Sequence, residues 1–478
     1  MNTYLLNPSI QGNPRYIREG RCMQKASSWA TAWPPVSLAI LGAVAKAWGG
    51  VRLRDGNAEK TTIDGLLEEI GGFAPGLVVI ATGFPSIDDD MAAARAIKER
   101  FPQVKVCAFG VFFTMLEKEG FALYHFLDFA IIGEPEETFA ELGAALVRGE
   151  TLHAIRGILY REGDEVRQTP FRPFTADLDR LPHPDRSLLR NSRYRLPHNN
   201  RVYTLVNTAR GCPCRCSFCL VGSYYGGAVR KHSIPYIMDE LHACVRDWGI
   251  RDFLFWEEAF TLDKKYLLDF CGAIAGRRLS IRWAATTRAG SLDDEIVSAM
   301  KKAGCYLLGL GIESADQGIL DRAGKKQTVA EITRAVALCR KHRLSTMGHF
   351  IFGLPGETPA TAEATIRFML RLGLDYMQCY CAVPYPKTAL GAEAEAKGWL
   401  RARNWSQYDF GGSSILCTDT MSPGEVDGYR DRAFRSFYFR PLYVLKRLFS
   451  GLSVLQLARR AWRFREWMTL PGHEKSAP

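Results

Sequence analysis

The sequence predicts an α/β protein built from two parallel-sheet units in tandem, a doubly wound domain and then a partial (β/α)6 TIM-like barrel, followed by a helical tail. Three observations predict it. Short β-branched runs alternate with longer amphipathic ones from residue 3 to about 147, the alternation stops over a proline-rich stretch, and it restarts near Val202 for six more units.

In the first unit the strand-like runs are Thr3-Leu6, Val51-Arg54, Leu77-Ile80, Lys105-Ala108 and Phe129-Ile132, with amphipathic stretches such as Ile63-Ile70 and Met91-Phe101 between them. In doubly wound sheets ligands bind at the carboxyl ends of the strands. Those ends carry Asp55-Gly56-Asn57, Thr82-Gly83, Phe109-Gly110 and Gly133-Glu134, so a crevice with glycine-rich lips is expected there.

A hairpin pattern over 157–164 leads into Leu181-Pro182-His183-Pro184, where prolines stop both helix and sheet. The expected division is therefore 1–150 for the first domain, 151–199 for a linker, 200–390 for the barrel and 391–478 for a helical, basic C-terminal region. The barrel strands are expected at Tyr203-Val206, Asp252-Trp256, Arg282-Ala285, Leu307-Ile312, Thr346-Phe352 and Asp375-Cys381. Helical segments such as Pro235-Asp247, Lys264-Ala275, Asp294-Ala303 and Ala360-Leu372 separate them. Active residues of such barrels sit at the carboxyl ends of the strands.

Composition excludes several classes. Apolar residues make up 47% and charged residues 24%, which is ordinary globular usage and not that of a disordered chain. The apolar run Val36 to Ala45 is about half the ~20 residues of a membrane span, and Met1 to Pro8 carry no basic leader, so a cytoplasmic location is expected. Thirteen cysteines in such a chain argue against a disulfide framework. Of the net charge of +11, an excess of eight lies between Tyr429 and Met468.

Nine of the cysteines are scattered as small hydrophobes would be, and only Cys212, Cys214, Cys216 and Cys219 ask for chemistry. Arg210-Gly211-Cys212-Pro213-Cys214-Arg215-Cys216-Ser217-Phe218-Cys219 follows the first barrel strand and contains Cys-x3-Cys-x2-Cys. Three thiolates on one tight loop can ligate three irons of a cubane and leave the fourth iron open. Zinc is the alternative, but a closed zinc site needs a fourth ligand, and no second Cys-x2-Cys or His pair follows. Cys212-x-Cys214 with Cys216-x2-Cys219 also offers four donors; we read Cys214 as a spectator.

The loop, with Phe253-Leu254-Phe255-Trp256-Glu257-Glu258, Thr287-Arg288, Gly309-Leu310-Gly311-Ile312-Glu313-Ser314, Gly353-Leu354-Pro355-Gly356-Glu357-Thr358 and Pro384-Tyr385-Pro386-Lys387-Thr388, resembles the radical SAM superfamily over residues 200 to 390. The resemblance implies a [4Fe-4S] cluster on Cys212, Cys216 and Cys219. Its open iron would chelate S-adenosylmethionine (SAM), and one electron from a donor such as flavodoxin or ferredoxin would release a 5'-deoxyadenosyl radical. Phe218 is then expected near the adenine, Glu313 near the ribose or methionine, and Gly353 in the turn beside the adenine. Arg288 and His349 are candidate polar contacts by position.

The first domain, with Gly133-Glu134-Pro135-Glu136-Glu137-Thr138, Trp33-Pro34-Pro35, Thr82-Gly83-Phe84-Pro85-Ser86 and Leu178-Asp179-Arg180-Leu181-Pro182, resembles the cobalamin-binding domain of one radical SAM subfamily. That resemblance implies cobalamin contacts from Asn57, Thr82, Gly110, Gly133 and Glu134. No Asp-x-His-x-x-Gly is present, so no histidine of this domain is expected to ligate cobalt. The architecture implies C-methylation of an unactivated carbon or, as in the anaerobic cyclase of chlorophyll synthesis, ring formation. Methylthiotransfer is disfavoured, since the additional cluster domain and small RNA-binding domain it normally brings are not evident. A non-enzymatic cobalamin sensor would leave the cluster loop unexplained.

Cys379 and Cys381 stand two apart on the last barrel strand and share a face. If that face is inward, a thiol there could quench a substrate radical, so both are candidate catalytic residues. The tail from Tyr429 mixes Arg and Lys with Phe434, Phe437, Trp462 and other aromatics. It suits either an anionic lipid surface or packing on the barrel, and nucleic acid is disfavoured without a recognised RNA module. The substrate is expected to be a small or lipid-like molecule.

Overall fold

The computed structural model describes residues 1–9, 16–20, 22–25, 32–258, 260–277, 279–441, 443 and 444. Seventeen strands are found among them: β1 Thr3–Asn7, β2 Tyr16–Glu19, β3 Cys22–Lys25, β4 Val51–Asp55, β5 Leu77–Thr82, β6 Lys105–Gly110, β7 Phe129–Ile131, β8 Ile158–Glu162, β9 Glu165–Gln168, β10 Tyr203–Asn207, β11 Ala209–Arg210, β12 Arg230–Lys231, β13 Asp252–Trp256, β14 Arg282–Arg288, β15 Cys305–Glu313, β16 Ser345–Phe352 and β17 Tyr376–Cys381.

The first sheet runs β4-β1-β5-β6-β7-β8-β9, parallel through β7 and antiparallel in the last two strands. Its order reverses at β1, which makes the carboxyl ends of β1 and β5 the topological switch point. Both faces are covered, so the strands read as continuous apolar runs. Leu77 and Val79 of β5 pack towards helices Val36–Ala45 and Pro135–Arg148, while Val78 and Ile80 pack towards helix Ile87–Arg100. The hairpin β8-β9 belongs to this sheet, so the first unit reaches Gln168 rather than ending at residue 150. The hairpin β2-β3, which follows β1, has no counterpart among the expected elements.

The second sheet, β10-β13-β14-β15-β16-β17, is all parallel and in chain order, a six-stranded barrel left open between β10 and β17. The intervening helices start where the sequence caps them. Asp263 accepts from the Tyr266 amide (3.0 Å), Asp293 accepts from the Ile296 amide (2.8 Å), and Thr328 with Glu331 forms a capping box. Trp283, fully buried, fills the layer between sheet and helices among Phe255, Phe260 and Phe270.

Helix Pro423–Tyr438 packs on the last barrel strands, with Val426, Ala433 and Phe437 in the barrel core and the Tyr438 hydroxyl donating to the Met377 carbonyl (2.7 Å). This part of the tail therefore packs on the barrel. The expected lipid-facing stretch beyond residue 444, including Trp462, lies outside the described residues. No helix among the described residues is long and apolar enough to cross a membrane.

The two units share their cores. Tyr203 and Leu205 of β10 pack among the first domain's residues, as do Cys212, Leu220 and Val221 of the loop that follows.

Candidate functional site

The cysteine loop begins at a point only glycine can occupy. Gly211 has φ +92°, and a Cβ there would stand 2.1 Å from the Ala228 carbonyl oxygen. The loop is pinned by backbone bonds from Cys212 to Gly226 (3.2 Å), Ser217 to Ala323 (2.9 Å) and Cys219 to Cys216 (3.1 Å). Just before it, buried Arg210 donates to both carboxylate oxygens of Glu136 (2.6 and 3.2 Å), and Glu134 pairs with Arg210 at 3.4 Å and with Arg230 at 2.8 Å. The cluster loop is thereby tied to the last helix of the first domain.

Cys212, Cys214, Cys216 and Cys219 all line one cavity of about 640 Å³ inside the barrel. Among the described residues no group of three or more His, Cys, Asp or Glu is arranged to hold a metal ion. An all-thiol donor set on one loop suits a cubane, which takes one thiolate per iron.

Phe218, Arg288, Glu313 and His349 also line this cavity. Arg288 brings Nη1 to 4.0 Å from Cys216 Sγ and donates to the backbone carbonyls of Lys325 and Lys326. Glu313, at φ +65°, forms a buried ion pair with Lys325. Burial works against the Lys325 charge, but Glu313 outweighs it and raises the lysine above its ordinary value. His349 is neutral at pH 7, its pKa lowered to about 4 by burial and then by the Lys325 charge. Its Nδ1 lies 3.2 Å from the Tyr380 hydroxyl.

The proposed catalytic thiols are elsewhere. Along β17 it is Tyr376, Gln378 and Tyr380 that line the cavity, and alternation turns Cys379 and Cys381 to the opposite face. Cys379 lies against Met377, its Sγ 3.4 Å from the Met377 sulfur, and Cys381 sits under helix Pro423–Tyr438, 3.3 Å from Arg430 Nη1 and 3.4 Å from Asp427. Burial pushes both thiols well above their ordinary range. The expectation of an inward-facing thiol pair is therefore corrected.

Gly353 does not line the cavity either. It forms the turn whose amide donates to Glu357 (2.5 Å) and packs on Val426.

Of the residues expected at the crevice of the first sheet, Thr82 and Gly110 border a void of about 30 Å³ together with Asn7, Glu19, Glu136 and Arg210. Asn57 is buried outside that lining, Gly133 packs against Phe171, and Glu134 is committed to Arg210 and Arg230.

Four cavity residues carry chemistry that the sequence reading did not assign. Lys325 follows a helix and has no motif around it. Gln378 and Tyr380 are missed because the strand's inward parity was unknown. Glu257 sits in a segment the reading did quote. It accepts from the Thr208 hydroxyl, and burial raises its pKa to about 7, which the Thr208 bond only partly offsets.

A six-stranded open parallel barrel, with three thiols on the loop after its first strand and a deep cavity beneath them, defines a class of enzyme whose metal site opens onto its substrate chamber. The family model for the radical SAM superfamily matches residues 206–369. An uncharacterized methyltransferase of Pyrococcus horikoshii is 32% identical over 419 residues, covering 88% of this chain and 91% of the relative. The anaerobic magnesium-protoporphyrin IX monomethyl ester cyclase of Rubrivivax gelatinosus is 27% identical over 421 residues, covering 86% and 75%. Among solved structures, the radical SAM methyltransferase TsrM of Kitasatospora setae, with cobalamin and a [4Fe-4S] cluster bound, superposes with a TM-score of 0.70 at 18% identity over 92% of this chain and 89% of its own. The cobalamin-dependent radical enzyme OxsB gives 0.73 at 15%, over 98% and 71%. The chain belongs to the radical SAM superfamily.

Proposed function

We propose that this enzyme cleaves SAM reductively at a [4Fe-4S] cluster held by Cys212, Cys216 and Cys219, and functionalises an unactivated carbon by C-methylation. One observation carries the reading: the three thiols, two cations (Arg288 and Lys325) and one acid (Glu313) stand at the same end of one cavity. Cluster and SAM, when bound, supply a carbon-centred radical that abstracts hydrogen.

The chain's own residues do the rest. Arg288 presents positive charge beside Cys216, where a carboxylate is bound most favourably, while Lys325 and Glu313 are paired with each other, leaving the second Glu313 oxygen to accept from an amino group or hydroxyl. The volume of about 640 Å³ lies within the range of small-molecule sites and has room for SAM and a substrate together. Neutral His349 and the Tyr380 hydroxyl form a proton-bearing pair on the cavity wall. Glu257, poised near neutrality, can hold a proton at Oε1 or Oε2 or give it up.

Methylation is supported by the P. horikoshii relative, 32% identical over 88% of this chain, and ring formation by the R. gelatinosus cyclase. The crevice at the switch point does not hold a corrinoid as it stands, because its void of about 30 Å³ has room for a water molecule. Its chemistry is nonetheless receptive, since Asn7 Oδ1 is buried there with no hydrogen-bond partner. The hairpin β2-β3 stands between this void and the large cavity: Glu19 and Gly20 line the former, Ile17 and Gln24 the latter.

The twelve cysteines whose side chains the structure describes are all free, which supports a reducing compartment and an electron donor of the flavodoxin or ferredoxin type.

The test is an anaerobic assay of reconstituted protein with SAM, reductant and methylcobalamin, following 5'-deoxyadenosine and S-adenosylhomocysteine separately. Both products, lost in Cys212→Ala, support methylation. 5'-Deoxyadenosine alone supports ring formation, and an unaltered spectrum of added cobalamin overturns the corrinoid.

A further inference from the structure

The cavity does not end below the cluster. It continues down the barrel to the amino-terminal ends of the strands, where Arg282, Lys301, Tyr306, Arg343 and Ser345 line it. From Tyr306 to Glu313 on β15 is about 23 Å at the rise of a strand. Closed eight-stranded barrels are filled by layers of side chains. Here several inward positions in the middle of the sheet are small, Ala284 and Thr286 on β14 and Gly309 on β15, and the lumen stays open past them.

Charge divides the lumen into two ends. The acidic residues that line it, Glu257, Glu258 and Glu313, all belong to the carboxyl-terminal end, beside the cysteines. The opposite end is lined by three cations and no acid. Arg282 is held in place, 4.9 Å over the Tyr306 ring and 3.6 Å from Asp252, a carboxylate whose nearer partner is Arg201 at 2.7 Å. Lys301 donates to the Arg343 carbonyl (2.8 Å), which brings both residues to the same rim, and both are exposed. Between the two ends the wall is mainly apolar, with Leu254, Leu307 and Met347 among the lining residues.

We propose that the substrate is an elongated, mainly apolar molecule with an anionic end group, a carboxylate or a phosphate, which sits at Arg282, Lys301 and Arg343 while the reacting carbon lies at the other end, near the cysteines. This deepens the radical SAM reading and rests on it for what occupies the upper end. An anchor of this kind fixes the depth of the chain in the lumen and so selects which carbon faces the radical. A fixed guanidinium and two exposed cations at the rim bind a carboxylate or phosphate far better than a neutral head group.

The experiment is calorimetric titration of the full-length reconstituted protein with dodecyl phosphate, dodecanoate and dodecanol, repeated on Lys301→Glu/Arg343→Glu and on the milder Lys301→Gln/Arg343→Gln. The expected result is that at least one anion binds tenfold or more tightly than the alcohol. The charge reversal removes that advantage, the Gln pair weakens it, and dodecanol affinity is retained in both as evidence of an intact lumen. The tighter of the two anions identifies the end group. Equal binding of alcohol and anions, or anion binding untouched by the charge reversal, overturns the proposal. SAM cleavage by the wild-type protein is measured alongside, so that its absence counts against the reading of the upper site and the binding result is judged on its own.

Discussion

Arg210, two residues before the first cluster cysteine, is bound through both terminal nitrogens to an acidic residue of the other domain. Its guanidinium donates to both oxygens of Glu136 at 2.6 and 3.2 Å, and both side chains are buried. Removing one partner of a buried pair leaves an uncompensated charge at a cost of roughly 3–5 kcal/mol. Glu136→Ala is therefore expected to lower thermal stability strongly and to reduce the iron retained after reconstitution. Glu136→Gln, which keeps one acceptor, should fall between the two. Differential scanning calorimetry and iron analysis on the same samples check this.

The cluster loop depends on its glycine. Gly211→Ala places a Cβ at 2.1 Å from a carbonyl oxygen at a positive φ, so the loop must move. The expected outcome is loss of most of the absorbance of the reconstituted cluster, with the secondary structure of the barrel unchanged by circular dichroism.

Glu357 gives a prediction with a definite sign in pH. Burial raises its pKa to about 8, above the unfolded carboxyl near 4.5. The folded state thus keeps a proton that the unfolded state has released, and stability falls as pH rises from about 4.5 through 8. Glu357→Gln holds the neutral form at every pH. Its stability should change less than that of the wild type between pH 5 and 8.5, by at least about 1 kcal/mol of the wild-type loss. Urea denaturation across that range measures it.

The two faces of β17 should separate under mutation. Tyr380→Phe removes a hydroxyl that faces the cavity and lies 3.2 Å from His349, and is expected to lower turnover about tenfold or more. Cys381→Ala, on the face packed beneath helix Pro423–Tyr438, should cost stability and leave the product distribution unchanged. A changed product ratio in Cys381→Ala would count against the placement of that thiol outside the chamber.

Much of the architecture was legible in the sequence because it is local. The runs Leu77-Ile80 and Leu307-Ile312 announce buried parallel strands by composition, and Lys264-Ala275 and Asp294-Ala303 read as helices between strands. The cysteine spacing was legible for the same reason, since three ligands on one short loop need no distant partner to be recognised. The hairpin β8-β9 was visible as a hairpin, but not as part of the first sheet, because only its pairing with β7 decides that.

The site beyond the loop was legible in part. Phe218, Arg288, Glu313 and His349 do reach the cavity, Arg288 and Glu313 from strand ends, His349 from within its strand and Phe218 from the cysteine loop. Lys325 was missed because its role is set by Glu313 across space, and Glu134, expected at cobalamin, is instead held by Arg210 and Arg230 of the other domain.

The sequence by itself determined the class of chemistry: three thiolates at fixed spacing after a barrel strand, in a chain of two parallel units. Only the tertiary structure decided which side chains face that chemistry. The parity of β17 depends on how the strand registers with β16, where Phe352 pairs with Cys381, and a shift of one residue would have turned the cysteines inward and the tyrosine out. Register is a long-range property, set by packing of the whole sheet against its helices. The local sequence carries the alternation but not its origin.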